Sequence, residues 1–105
     1  MDLSLGTSIE LQKRGCNIPA QAIWTDAEPA ERGCYWVCGT GVCARDNDVP
    51  TYSFLDIIFN KELANAFFKN DTKEHVKRII DYIQDSDQKG AEEYLLKHTV
   101  FQPND

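Results

Sequence analysis

A chain of 105 residues, 42% of them hydrophobic, has the size of one domain and enough apolar side chains to close its own core. Seventeen acidic against eleven basic residues give a formal charge of −6. Such a surface repels phosphate backbones, which disfavours direct nucleic-acid binding and suits partners with basic protein surfaces. The opening Met1-Asp-Leu-Ser-Leu-Gly6 lacks the basic segment and apolar run of a secretion signal. No stretch reaches the roughly 20 apolar residues that cross a bilayer, so a cytoplasmic protein with no membrane partner is expected.

The pattern changes near residue 50: turns, cysteines and short apolar bursts precede it, and helical periodicity follows. Thr7 or Ser8 is suited to cap a short helix through Ile9, Leu11 and Lys13, with Gly15 as its stop. Asn17-Ile-Pro19 resets the backbone, and Ala20 to Trp24 fits either an extended segment or a turn of helix. Thr25 to Gly33, with Asp26, Glu28, Pro29, Glu31 and Arg32, reads as an exposed acidic loop. Residues 34–45 are the best strand candidate. Tyr35, Trp36 and Val37 favour strand, Gly39-Thr40-Gly41 suits a tight reversal, and Val42 to Arg45 would return as the partner. Asp46-Asn47-Asp48 is a further turn, and Val49-Pro50 leads into a helix capped by Thr51 or Ser53.

In the second half, Leu55, Ile58, Phe59, Leu63, Ala66 and Phe67 recur at helical spacing as one apolar stripe. Asn60 fits either an interruption of this helix or the cap of a second one. Asn70-Asp71-Thr72 breaks and re-caps the chain. Val76, Ile79, Ile80 and Ile83 then form a core face, with Lys73, Lys77, Asp81 and Asp85 toward solvent. A last helix carries Ala91, Tyr94, Leu95 and His98, and residues 101–105 read as a frayed tail. The whole is expected to be a single α+β domain over residues 1–105. A short antiparallel hairpin in the N-terminal half packs on a mainly helical C-terminal half.

Two constellations could carry function. The four cysteines lie in the first 43 residues with the spacing C-x17-C-x3-C-x4-C. Zinc sites pair thiolates a few residues apart, which Cys34/Cys38 and Cys38/Cys43 fit loosely. On an extended strand Cys34 and Cys38 stand about 13 Å apart, whereas a glycine hairpin brings Cys38 opposite Cys43. Cys16, Cys34, Cys38 and Cys43 are thus the candidate zinc ligands, and burial as small apolar side chains is the competing role. The second constellation is Trp24 beside Asp26, Glu28 and Glu31, a candidate docking edge for a basic protein surface.

Catalytic signatures are missing. No cysteine has a placeable cation or helix N-terminus to activate it. His75 falls on the first turn of its helix, where exposure is expected, and His98 falls near a helix C-terminus. Gly39-Thr-Gly41 lacks the third glycine of a phosphate loop, and Val49-Pro50 ends the calcium-loop pattern begun by Asp46 and Asp48. A non-enzymatic protein is expected.

Several segments together carry a family likeness. They are Ser8-Ile-Glu-Leu-Gln-Lys-Arg-Gly15, Cys34-Tyr-Trp-Val37, Val49-Pro-Thr-Tyr-Ser-Phe-Leu-Asp-Ile-Ile58, Leu63-Ala-Asn-Ala-Phe-Phe68 and Tyr94-Leu-Leu96. In these the chain resembles small uncharacterised acidic proteins of bacteria and phages. The resemblance implies a phage or mobile-element setting, where small acidic proteins often inhibit host enzymes or act as immunity partners of toxins. It carries over no site residue. The function expected is binding and inhibition of a host protein such as a defence nuclease complex, in the manner of anti-CRISPR proteins. Immunity to a toxin and a zinc-stabilised regulatory module are the alternatives.

Overall fold

The computed structural model describes residues 2–26, 36–39 and 47–103. Helix α1 (Leu5–Lys13) is capped by Ser4, whose side chain accepts the Thr7 N–H, and not by Thr7 or Ser8. Those two residues are buried one turn in, where the Ser8 hydroxyl donates to Thr51 Oγ1 at 2.9 Å and ties the helix to a strand. Gly15 ends the helix as expected. At φ +85° it allows the Gly15 and Cys16 N–H groups to fold back onto the carbonyls of Gln12 and Leu11.

Ala22–Thr25 forms strand β1, which settles the ambiguity at Ala20 to Trp24 in favour of extended chain. It is the centre of an antiparallel sheet of order β2-β1-β3, with β2 at Trp36–Gly39 and β3 at Val49–Thr51. Trp24 sits opposite Val37 on one side and Val49 on the other. The strand expected around Tyr35–Val37 is therefore present in part, but its described partner is β1. The return over Val42 to Arg45 lies outside the described residues. Val49-Pro50-Thr51 is a strand where a helix lead was expected. Proline lacks the N–H a central strand needs, and β3, at the sheet edge among the described strands, tolerates it.

Ser53 caps helix α2 (Phe54–Phe59), its hydroxyl accepting the Leu55 N–H at 3.1 Å. Asn60 caps a separate helix α3 (Lys61–Phe68) by accepting the N–H groups of Glu62 and Leu63. After left-handed residues Lys69 and Asp71 come α4 (Thr72–Gln84) and, past Ser86 at φ 58°, α5 (Gln88–His98). The described architecture is thus α+β, a three-stranded antiparallel sheet with five helices.

The core gathers Leu3, Leu11, Tyr52, Phe54, Ile57, Phe67, Phe68, Ile79, Ala91 and Leu95. Tyr52 meets Phe67 edge-on at 5.2 Å. The α2 stripe is consequently one residue out of phase with the expected one: Phe54 and Ile57 point inward, while Leu55 and Phe59 point out. The expected fraying at Phe101 is also corrected. Its ring packs edge-on against Phe67, its carbonyl accepts from Arg14 Nη1 at 3.2 Å, and Thr99 Oγ1 and the Val100 N–H both donate to the Phe67 carbonyl. Arg14 Nη1 also reaches the Leu96 carbonyl at 2.7 Å.

Within α5, Glu92, 7% exposed, accepts from the Ser4 N–H and the Ser4 hydroxyl near the start of the chain and from Gln88 Nε2. Gln88 Nε2 also donates to the Asp2 carbonyl. Among the described residues no helix is long and apolar enough to cross a membrane.

Candidate functional site

Of the expected docking edge, Trp24 and Asp26 are described, and Glu28 and Glu31 lie outside the described residues. Trp24 is half-buried on the central strand, and its indole N–H donates to the Leu3 carbonyl at 2.9 Å. That bond fixes the start of the chain against the sheet, a structural task. Asp26, at the end of β1, has both carboxylate oxygens 3.3 Å from Asn47 Nδ2, which links it to the approach to β3.

Of the four cysteines, Cys34 and Cys43 lie outside the described residues. Cys16 follows the glycine turn of α1 and packs against the core cluster, with its sulfur 3.5 Å from the Tyr52 hydroxyl. Tyr52 in turn donates to the Ile18 carbonyl at 2.6 Å. Burial, reinforced by the neighbouring Cys16, pushes the Tyr52 pKa up and keeps this donor protonated. Cys38 stands on β2 opposite Ile23. Both are free thiols, and no three histidine, cysteine or acidic side chains converge as a metal-binding group among the described residues.

The histidines, expected to be an exposed residue and a helix-end residue, meet each other across α4 and α5. His75 is half-buried, not exposed: its ring stacks on Phe68 at 4.8 Å and its Nδ1 lies 2.8 Å from the Tyr94 hydroxyl. The His98 ring lies 5.0 Å from His75 and 4.3 Å from Tyr94. Although His98 as a residue is exposed, loss of hydration around its ring lowers its pKa, and His75 and Lys97 add to the effect. Burial raises the Tyr94 pKa. Spacing alone could not place these rings, because their meeting depends on the turn between α4 and α5. The arrangement sets the His75 imidazole against the Tyr94 phenol, with the His98 ring beside both.

The surface feature missed in the sequence is the outer side of α2. Phe59 is 81% exposed and Leu55, one turn earlier, 54%. Among the described residues only Val100 joins them as an exposed large apolar side chain. Phe59 borders a groove of about 540 Å³ between the end of α2, α3 and the start of α4. Ile58, Ala64 and Val76 supply its apolar walls, and Lys61 and Lys73 also line it. The signal was available in part: five of the six residues in Phe54–Phe59 are apolar, more than one buried face can absorb. Contiguous apolar surface of this kind marks interaction sites. No protein-family model matches this chain, and neither a curated protein nor a solved structure matches it.

Proposed function

We propose that this chain is a non-enzymatic binding protein that docks on another protein through the outer side of α2. The reading takes it as a cytoplasmic inhibitor of phage or mobile-element type, acting on a host protein such as a defence nuclease complex. The observation that carries it is Phe59, a whole aromatic ring left 81% exposed one turn after the exposed Leu55. Aromatic side chains held out on a rigid element are the usual anchors of protein interfaces. The overall charge of −6 suits a target with a basic surface, because complementary fields speed encounter and fix orientation.

The test pairs recovery with inhibition. Immobilised wild type and Phe59→Glu are incubated with bacterial extract, and retained proteins are compared by quantitative mass spectrometry. The expected result is a host protein retained by the wild type, depleted in the variant, and inhibited when purified wild-type chain is added back. If that protein is a toxin, the same experiment identifies immunity as the role. Identical retention by both baits, with the variant folded, would overturn the proposal.

A further inference from the structure

We infer that the groove beside Phe59 receives an acidic, apolar-anchored segment of the partner protein, an inference that rests on the binding reading above. The groove is lined by Ile58, Phe59, Ala64 and Val76 together with Lys61 and Lys73, and no carboxylate is among its lining residues. Residues 61–78 carry five basic and three acidic side chains, a local reversal of sign in a chain of net −6. Lysines beside an apolar floor lay their methylene stems along it and keep their ammonium groups at the rim. A leucine or phenylalanine entering the groove is thereby flanked by two cations, and the complementary occupant carries aspartate or glutamate on either side of that anchor.

The other occupants fit less well. A basic segment would meet Lys61 and Lys73 as like charges, which complementary interfaces avoid. A second copy docked about a two-fold axis would set the same lysines on both sides of the contact. A bilayer presents a plane to what is a concave site, and Asp56 lies between Leu55 and Phe59 on the helix that presents both. Outside this positive island the surface keeps its acidic excess, so one partner can combine a basic surface with a single acidic segment. That pairing would set the orientation of the complex.

The test selects displayed random linear peptides against wild type, Lys61→Glu/Lys73→Glu and Phe59→Ala, each verified as folded by circular dichroism and urea titration. The wild type is expected to enrich peptides that place acidic residues around a leucine, phenylalanine or tryptophan. The double variant is expected to lose the acidic bias, and Phe59→Ala to lose the enrichment. The best peptide, measured by fluorescence anisotropy, should bind the double variant at least about ten-fold more weakly and lose affinity as salt is raised. Enrichment without acidic bias, a bias that survives the double substitution, or no Phe59-dependent enrichment overturns the inference. So does a Phe59-dependent dimer in sedimentation velocity, or co-sedimentation with phosphatidylserine vesicles. A host protein whose capture needs Phe59 but ignores the lysine reversals keeps the binding reading and removes this inference alone.

Discussion

Phe54 and Phe59 open and close the same six-residue helix and face opposite ways, 1% and 81% exposed. A phenylalanine side chain offers roughly 200 Å² for burial, and each Å² removed from water contributes about 25 cal/mol. At Phe54 that amounts to about 5 kcal/mol as an upper bound. At Phe59, with about a fifth of the ring covered, it is about 1 kcal/mol. Phe54→Ala should therefore cost about 3–5 kcal/mol once the cavity is included, a large part of the 5–15 kcal/mol that holds a typical domain together. Phe59→Ala should cost less than about 1 kcal/mol. Urea unfolding followed by tryptophan fluorescence measures both, provided the slope with denaturant stays constant between variants. A cost above about 2 kcal/mol for Phe59→Ala would mean that the ring is packed and not presented, and a nearly neutral Phe54→Ala would mean that Phe54 is not part of the core. In a binding assay with the recovered partner the ranking should reverse, with Phe59→Ala losing at least about 2 kcal/mol, roughly 30-fold.

Three further outcomes are expected. Glu92→Ala strips acceptors from the Ser4 N–H, the Ser4 hydroxyl and Gln88, and should lower stability by about 1–3 kcal/mol, with faster hydrogen exchange at the Ser4 amide. Tyr52→Phe leaves the Ile18 carbonyl without its donor and should cost about 1–2 kcal/mol near neutral pH. Because the folded Tyr52 pKa is raised, the unfolded chain releases its proton first above about pH 10. Wild-type stability then falls with rising pH, and Tyr52→Phe should flatten that fall in alkaline urea titrations. The His98 pKa is lowered, so on acidification the unfolded state gains its proton first, near pH 6.5. Stability should drop as pH falls through that window and less so in His98→Gln, as measured by Tm between about pH 7.5 and 5.5.

The helical half was largely legible in the sequence because its periodicity is unambiguous. The clean spacing of Val76, Ile79, Ile80 and Ile83 located α4, and Ala91 with Leu95 located the buried side of α5. Caps were legible as residue types and less so as positions: Ser4, Thr7 and Ser8 are chemically similar, and only the tertiary use of Ser8 against Thr51 decides which one caps α1. The sheet was harder, since strands of three or four residues are too short to display a period. Pro50 also argues against a strand until the edge position of β3 is known. The candidate site was hidden by abundance. In Phe-Leu-Asp-Ile-Ile-Phe two overlapping stripes have helical spacing, and which one is buried depends on what α3 and α4 supply. His75 was misjudged for a similar reason: its partners Phe68, Tyr94 and His98 come from neighbouring elements on both sides in the chain.

The carboxylate of Glu92 holds Ser4 across a separation of 88 residues, and Arg14 holds Phe101 across 87. At translation speeds of roughly 5–20 residues per second, Ser4 waits about 4–18 s for Glu92 to be made. During that interval α1 lacks its anchor on α5, and for roughly the first half of it the partner strand that carries Thr51 has not been made either. The domain should therefore close after synthesis of α5 and not along the way. Its dependence on contacts so distant in sequence should also make it fold more slowly than a helical bundle of equal size. Ribosome-bound chains halted before Gln88 should accordingly be degraded by protease at α1, and chains extended beyond Phe101 and clear of the ribosomal tunnel should resist it.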